Sequence, residues 1–373
     1  MKPIFVILFI FIFCAVIFAS HFFIYRSWLK FSLPADETLK NIAKILLIIL
    51  PITFITTSIL ATRYDHFTLR SVYAISSFWL GLAANLFFSF ALAWFAYGLS
   101  KTFSFSLPLP LLGHAFVALG LMITIAGTFN AFHPAVKKLN IGLADLPPAW
   151  QDRTVVQISD LHLGYIHGQK FARSIVSLVN QQNPDLILIT GDLYDGTRGQ
   201  LEKSTAELKN LRAPFGIYFV NGNHEKFLGL STVQKLLTDT PIKTLSNELV
   251  SLNGLNLVGL EYLNEGSRAK LLEPLTTVPG FSTHQPTVLL YHEPVDIARL
   301  QASGIDLMLA GHTHRSQLFP FNLITNLLYH GFDYGFYRLG DLALYVTSGV
   351  GSWGPPVRTS ARPEIVVLKL NRL

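Results

Sequence analysis

Four uncharged apolar runs in the first third of the chain constrain its fold most: Ile4 to Tyr25, Ile45 to Ala61, Val72 to Leu99 and Leu109 to Phe132. Each approaches or exceeds the roughly 20 residues that cross a bilayer as a helix. None contains Asp, Glu, Lys or Arg, although Ser20 and His21 temper the first and His114 and Asn130 the fourth. Uncharged runs of this length are rare in soluble folds. They read as four transmembrane helices, at about 4–25, 45–61, 72–99 and 109–132, in a transmembrane region of residues 1–132.

The first run follows Lys2 and ends in Phe18-Ala19-Ser20, as a cleaved secretory signal would. Its apolar part is longer than the roughly 7–15 residues of a signal core, which favours a retained anchor. The net charge of +6 raises the question of nucleic acid, but its distribution argues otherwise. Residues 1–149 hold ten Lys/Arg against four Asp/Glu, whereas residues 150–373 hold nineteen of each. The basic excess therefore belongs to membrane-flanking loops, and no nucleic-acid partner is expected. Five basic residues (Lys2, Arg63, Arg70, Lys137, Lys138) flank one side of the spans and five (Arg26, Lys30, Lys40, Lys44, Lys101) the other. The positive-inside rule thus ties, and the side occupied by the rest of the chain stays open. Cys14 is the one cysteine, so no intramolecular disulfide can form.

Residues 133–150, HPAVKKLNIGLADLPPAW, read as a linker into a soluble domain of residues 151–373. There the pattern changes to short β-branched runs: TVVQIS, DLILIT, GIYFV, LNLVGL, TVLLY, DLMLA, LALYVT and EIVVLKL. Helix-like stretches such as Lys170 to Asn183 and Leu201 to Leu211 lie between several of them. Alternation of this kind predicts an α/β domain.

Five of the runs end alike. Asp160-Leu161-His162 follows VVQIS, Gly191-Asp192 follows LILIT, and Asn221-Gly222-Asn223-His224 follows IYFV. His292 follows VLLY, and Gly311-His312-Thr313-His314 follows LMLA. In open α/β sheets ligands collect beyond the carboxyl ends of the strands, so these residues would share one site. They are too many for one tetrahedral ion and suit two borderline cations with mixed oxygen and nitrogen ligands. Histidines two apart in an extended chain point the same way, so His312 and His314 could reach different ions of a pair.

The ordered motifs DLH, GDLYD, GNHE, YHE and GHTH, spanning residues 153 to 314, resemble the calcineurin-like metallophosphoesterase superfamily. The tail YVTSGVGSWGPPVR…RPEIVVLKL is similar to that of the membrane-associated branch of YaeI- and YkuE-type phosphodiesterases. The resemblance implies a four-layer α/β/β/α sandwich and a metal-dependent phosphoric ester hydrolase. Asp160, His162 and His314 would hold one ion, Asn223, His292 and His312 the other, and Asp192 would bridge them. His224 would protonate the leaving group, steered by Asp195, while a water or hydroxide between the ions attacks phosphorus. Mn, Fe, Zn and Ni all fit such ligands, and the metals stay unnamed.

Gly196 stands where larger phosphoprotein phosphatases carry a phosphate-binding arginine, and Arg315-Ser316 where close relatives often carry two glycines. Arg315, His167 and Arg198 are candidate substrate contacts, each with a plain structural alternative. A non-enzymatic or transport protein with structural metals is the rival class. The uncharged spans argue against transport, since such paths need intramembrane ionisable groups. A multi-pass protein of a bacterial inner membrane is expected, with the bilayer and a phosphoester as partners. The stretch LFPFNLITNLLYHGFDYGFYRLG should border the site's mouth and favour a lipid-like substrate over a soluble nucleotide or small phosphoester, unless it simply packs as a hairpin.

Overall fold

The computed structural model describes residues 3–32, 36–264, 269–282 and 284–373; Lys2, counted above among the flanking cations, lies outside them. The chain forms two compact units. One comprises Met1–Ala61, His66–Phe129 and Gly354–Val357, and the other Thr62–Asp65, Asn130–Trp353 and Arg358–Leu373.

The first unit is built on α1 (Pro3–Phe31), α2 (Glu37–Ala61), α3 (Phe67–Thr102) and α4 (Leu109–Phe132). Among the described residues these four helices are long and apolar enough to cross a membrane. Three of them outrun the uncharged stretches, because a helical backbone ladder does not stop where the first charged side chain appears. Lys30, Lys40, Lys44, Arg70 and Lys101 all lie in helical turns. The side chains are arranged inside out. Phe11, Phe22, Ile75 and Ile125 face outward, while Ser27, Ser76, Asn85 and Thr124 are buried. Trp79 Nε1 donates to His21 Nε2 at 3.0 Å, Trp94 Nε1 to Ser27 Oγ at 2.9 Å and Asn85 Nδ2 to Thr124 Oγ1 at 2.9 Å. Polar and small groups between helices with apolar groups outside is the packing that lipid imposes.

In the second unit, β1 (Ala135–Leu143), β2 (Thr154–Ile158), β3 (Leu186–Ile189), β4 (Ile217–Phe219) and β5 (Ile242–Thr244) share a sheet with the last strand. A second sheet contains β6 (Glu248–Leu252), β7 (Leu255–Gly259), β8 (Thr287–Leu290), β9 (Leu307–Ala310), β10 (Gly335–Leu339) and β11 (Leu342–Val346). The last strand is β12 (Glu364–Arg372). Among the described residues the two sheets have the orders β1-β12-β2-β3-β4-β5 and β10-β11-β9-β8-β7-β6.

Alternate residues of each central strand supply different cores. Val155, Leu188, Leu257, Leu309 and Val366 fill the space between the sheets. Val156, Ile187 and Ile189 face the other way, onto α5 (Gln169–Asn180) and α6 (Leu201–Leu208). Beyond these come α7 (Asn223–Leu228) and α8 (Leu230–Leu237). Val258, Leu289 and Met308 likewise face α9 (Leu272–Thr277) and α10 (Ile297–Leu300), and α11 (Asn322–Leu328) follows. The layering is α/β/β/α.

Residues 135–143, inside the stretch expected to be a linker, are β1, paired in parallel with β12 from Ala135↔Glu364 to Leu143↔Arg372. Lys137 and Lys138 obscure the strand pattern in sequence. They suit its place on a sheet edge, where charge discourages further pairing.

Candidate metal centre

Strands β2, β3, β8 and β9 lead into the turns that carry Asp160 and His162, Asp192, His292, and His312 and His314, while β4 leads through a short turn into α7, which opens on Asn223 and His224. Asp160, His162, Asp192, His312 and His314 all have left-handed φ, between 48° and 71°. For residues other than glycine this backbone costs on the order of 1–3 kcal/mol each and clusters where function over-determines the geometry. His312 and His314 therefore do not share a side through an extended chain, as the spacing predicts. A left-handed turn sends them to different partners.

Three groups of ligand atoms converge, each within 4.8 Å: Asp160, His162 and His314; His162, Asp192 and His224; Asp192, His292 and His312. His314 Nε2 is 3.4 Å from Asp160 Oδ1 and 2.9 Å from His162 Nε2. His292 Nε2 is 3.1 Å from Asp192 Oδ2 and 3.1 Å from His312 Nδ1. Asp192 Oδ2 also lies 3.9 Å from His162 Nε2. One carboxylate thus reaches both histidine clusters.

Second partners set the rings. His292 Nδ1 donates to the Thr190 carbonyl at 2.8 Å, so Nε2, which faces Asp192, is the nitrogen that can hold a cation once its proton has left. His224 Nδ1 donates to the backbone carbonyl of Asp195 at 2.8 Å, so Nε2 faces Asp192 at 4.0 Å. Asp195 thus meets His224 through its carbonyl, while its carboxylate accepts from the Thr197 N–H and hydroxyl. Nδ1 of His162 and Oδ1 of Asn223 are buried without a hydrogen-bond partner. A nitrogen and oxygen donor set with orphaned atoms of this kind fits borderline cations.

The electrostatics are those of a site short of positive charge. Burial pushes Asp160 up to about 6, against the pull of His292. Burial opposes ionisation of Asp192 too, but His292 and His224 hold it well below the ordinary carboxylate range. Burial, reinforced by His224 for His162 and by His162 for His314, keeps both rings neutral well below the usual range.

Two further groups carry no local signal in the sequence. Glu225 is fully buried and accepts from the N–H groups of Gly222 (2.7 Å), Asp192 (2.9 Å) and Tyr194 (3.1 Å), locking the β3 loop to α7. It stands in the GNHE motif, where only its neighbours invite a role. Arg358 is 0% exposed, with Nη1 2.7 Å from His314 Nδ1. Following two prolines in an irregular tail, it looks like any loop arginine until the fold is known.

Of the candidate substrate contacts, His167 is closed off from solvent. It is fully buried, tilted on Phe171 and edge-on to Phe132, and accepts from the Ser352 N–H at 3.0 Å. Burial lowers it to about 3, so it is a neutral core histidine. Arg198 is exposed, with Nε donating to the Thr62 carbonyl at 3.4 Å. The Arg315 guanidinium stacks over Tyr334 at 5.1 Å. Two aromatics instead flank His224: the rings of Phe227 and Trp353 lie 5.5 and 5.9 Å from it and are 73% and 59% exposed. On the other side, Glu293 lies 3.8 Å from His312 Nε2 and accepts from the hydroxyls of Tyr262 (3.3 Å) and Tyr329 (2.7 Å).

A family model described as calcineurin-like phosphoesterase matches residues 153–316. An uncharacterized metallophosphoesterase of Campylobacter jejuni is 33% identical over 258 residues, covering 68% of this chain and 68% of that protein. A Bos taurus protein named transmembrane protein with metallophosphoesterase domain is 34% identical over 277 residues, 68% of this chain and 62% of its own length. The uncharacterized metallophosphoesterase YkuE of Bacillus subtilis is 29% identical over 244 residues, 60% of this chain and 81% of that protein.

Proposed function

The chain belongs to the calcineurin-like phosphoesterase family and is a metal-dependent phosphoesterase with apolar helices fit to span a membrane, and from that premise we propose that it hydrolyses phosphodiester or pyrophosphate bonds of a lipid-like substrate. The observation that carries the reading is the sharing of Asp192 between the His162 and His292 clusters. Asp160, His162 and His314 would hold one divalent ion and Asn223, His292 and His312 a second, with Asp192 serving both. Such ions, when bound, acidify water and neutralise charge on the phosphoryl oxygens.

His224 Nε2 gives its proton to the departing oxygen. The Asp195 carbonyl keeps the ring turned for that task by holding Nδ1–H. Phe227 and Trp353 line the same side and offer apolar surface to a leaving group, which favours an amphiphile over a bare nucleotide. The setting assigned is a bacterial inner membrane, consistent with the outward-facing apolar side chains of α1–α4.

The test is hydrolysis by the purified full-length chain, loaded with Mn²⁺ in detergent. A generic aryl phosphodiester should be cleaved, and a phospholipid diester or lipid pyrophosphate cleaved with a lower KM. Metal-loaded protein inactive on every monoester, diester and pyrophosphate would overturn the hydrolytic reading. A KM lower for soluble nucleotides would overturn its lipid part.

A further inference from the structure

From residue 133 onward the described part of the chain exposes eleven large hydrophobic side chains, and six of them lie between residues 319 and 328. They are Phe319, Phe321, Leu323, Ile324, Leu327 and Leu328, with Leu327 76% exposed. Four sit on α11 at spacings that gather them on one side, and the buried residue of that helix is Thr325. Asn326 Nδ2 donates to Asp333 Oδ1 at 2.8 Å. A helix on the surface of a soluble domain turns its apolar side inward and its polar side to water. Here the orientation is reversed.

From Gln317 to Phe332 the sequence has no Asp, Glu, Lys or Arg. The segment is also tied to the metal centre, because Tyr329, the residue after α11, donates to Glu293, which stands beside His312. We propose that residues 319–328 are a membrane-docking surface, with α11 lying in the headgroup–acyl boundary of a bilayer and holding the mouth of the metal centre at the lipid–water interface.

The choice of a bilayer as occupant rests on three features. The same chain carries α1–α4, so a bilayer is always within its reach. An uncharged patch of Phe, Leu and Ile above the buried Thr325 matches an interfacial helix, whose apolar side sinks roughly 5–10 Å into the boundary. A two-turn helix and its flanking loop are too small for a stable second copy, since standard protein interfaces engage about 20–30 residues a side. The inference needs no knowledge of the substrate and goes beyond the hydrolytic reading.

The experiment places one fluorophore on the full-length chain, with Cys14→Ser removing the native thiol. Leu327→Cys and, separately, Leu323→Cys are labelled with an environment-sensitive nitrobenzoxadiazole. The exposed Lys235→Cys on α8 is the reference. Each protein is placed in nanodiscs of phosphatidylcholine and phosphatidylglycerol, which leave both faces accessible. At 327 and 323 the emission should shift to the blue, nitroxide-bearing lipid should quench it, and iodide should lose its quenching; at 235 the reverse should hold. Iodide quenching at 327 and 323 equal to that at 235 would overturn the proposal. So would protection from both quenchers, which would mean that protein, and not lipid, covers the patch. The readout is spectroscopic, so its failure is distinct from a failure to find activity.

Discussion

Nη1 of Arg358 lies 2.7 Å from Nδ1 of His314, and a guanidinium can only donate. The imidazole nitrogen facing it is therefore an acceptor, so the neutral ring carries its proton on Nε2, turned toward Asp160 and His162, and that proton must leave before Nε2 can hold a cation. The same guanidinium donates to the carbonyls of Gly351 (2.9 Å), Ser348 (2.5 Å) and Ala361 (3.3 Å). It thereby ties the loop after β11 to the histidine turn after β9. Burial brings it down to about 10, still charged at any physiological pH.

Arg358→Ala should cost about 3–5 kcal/mol, the scale for removing one partner of a buried charged network. Metal content should fall with it, because the turn that carries His314 loses its tie to the loop after β11. Arg358→Lys should be intermediate, since a compact ammonium cannot serve four spread acceptors. Thermal melting in detergent and elemental analysis check this; an Ala variant as stable and metal-replete as the parent contradicts it.

Asp192→Asn should remove most activity and lower metal content, because it removes the one carboxylate charge reached by both histidine clusters. Its backbone bond to Glu225 survives the change, so melting should move far less than metal content. Full metal content with parental turnover would refute the sharing of Asp192.

His224→Ala should leave metal content intact and slow turnover about 10²–10⁴-fold, the scale of general-acid help. The loss should shrink for nitrophenyl esters, whose leaving group departs without a proton. Equal losses for good and poor leaving groups would exclude His224 as the donor.

Metal uptake should release protons and strengthen as pH rises. Burial would lower the pKa of His292, but the adjacent Asp192 and Asp160 outweigh it and hold the ring up at about 10. A ligand imidazole must be neutral, so below that pH its proton has to leave. Affinity for Mn²⁺ should therefore fall as pH drops from about 9 to 6. Calorimetric titration of chelator-treated protein, in buffers of different ionisation enthalpy, reads the proton count directly. A pH-independent affinity without proton release would contradict it.

Phe227→Ala and Trp353→Ala should raise KM for a phospholipid diester more than for a small aryl diester, with kcat changed less than KM. Both rings are exposed, so stability should move by no more than about 0.5 kcal/mol. Equal KM changes for the two substrates would mean that the rings do not discriminate amphiphiles.

The residues read most directly from the sequence stand one to four positions beyond a short apolar strand: Asp160, Asp192, His292 and the His312–His314 pair. Local pattern is enough there, because a buried strand and the polar groups at its end are written within ten residues. β1 escaped that reading since its partner, β12, lies more than two hundred residues later and Lys137 and Lys138 mask its alternation. His167 escaped it in the opposite sense. Its place near a motif invites a substrate contact, whereas Phe132, Phe171 and Ser352, from distant parts of the chain, enclose it.

Which segments are apolar enough for lipid, where strands alternate with helices, and which ligand types stand at the strand ends can all be read along the chain. Those properties follow from side-chain chemistry and spacing along the chain. That Arg358 backs His314, that Asp195 meets His224 through its carbonyl, and that α11 turns its leucines outward became visible only in the fold. Each of these depends on which groups from remote segments arrive at the same place, and on which side of a helix other elements leave uncovered. Such outcomes arise from packing and hydrogen-bond satisfaction over the whole domain, which no local period along the chain encodes.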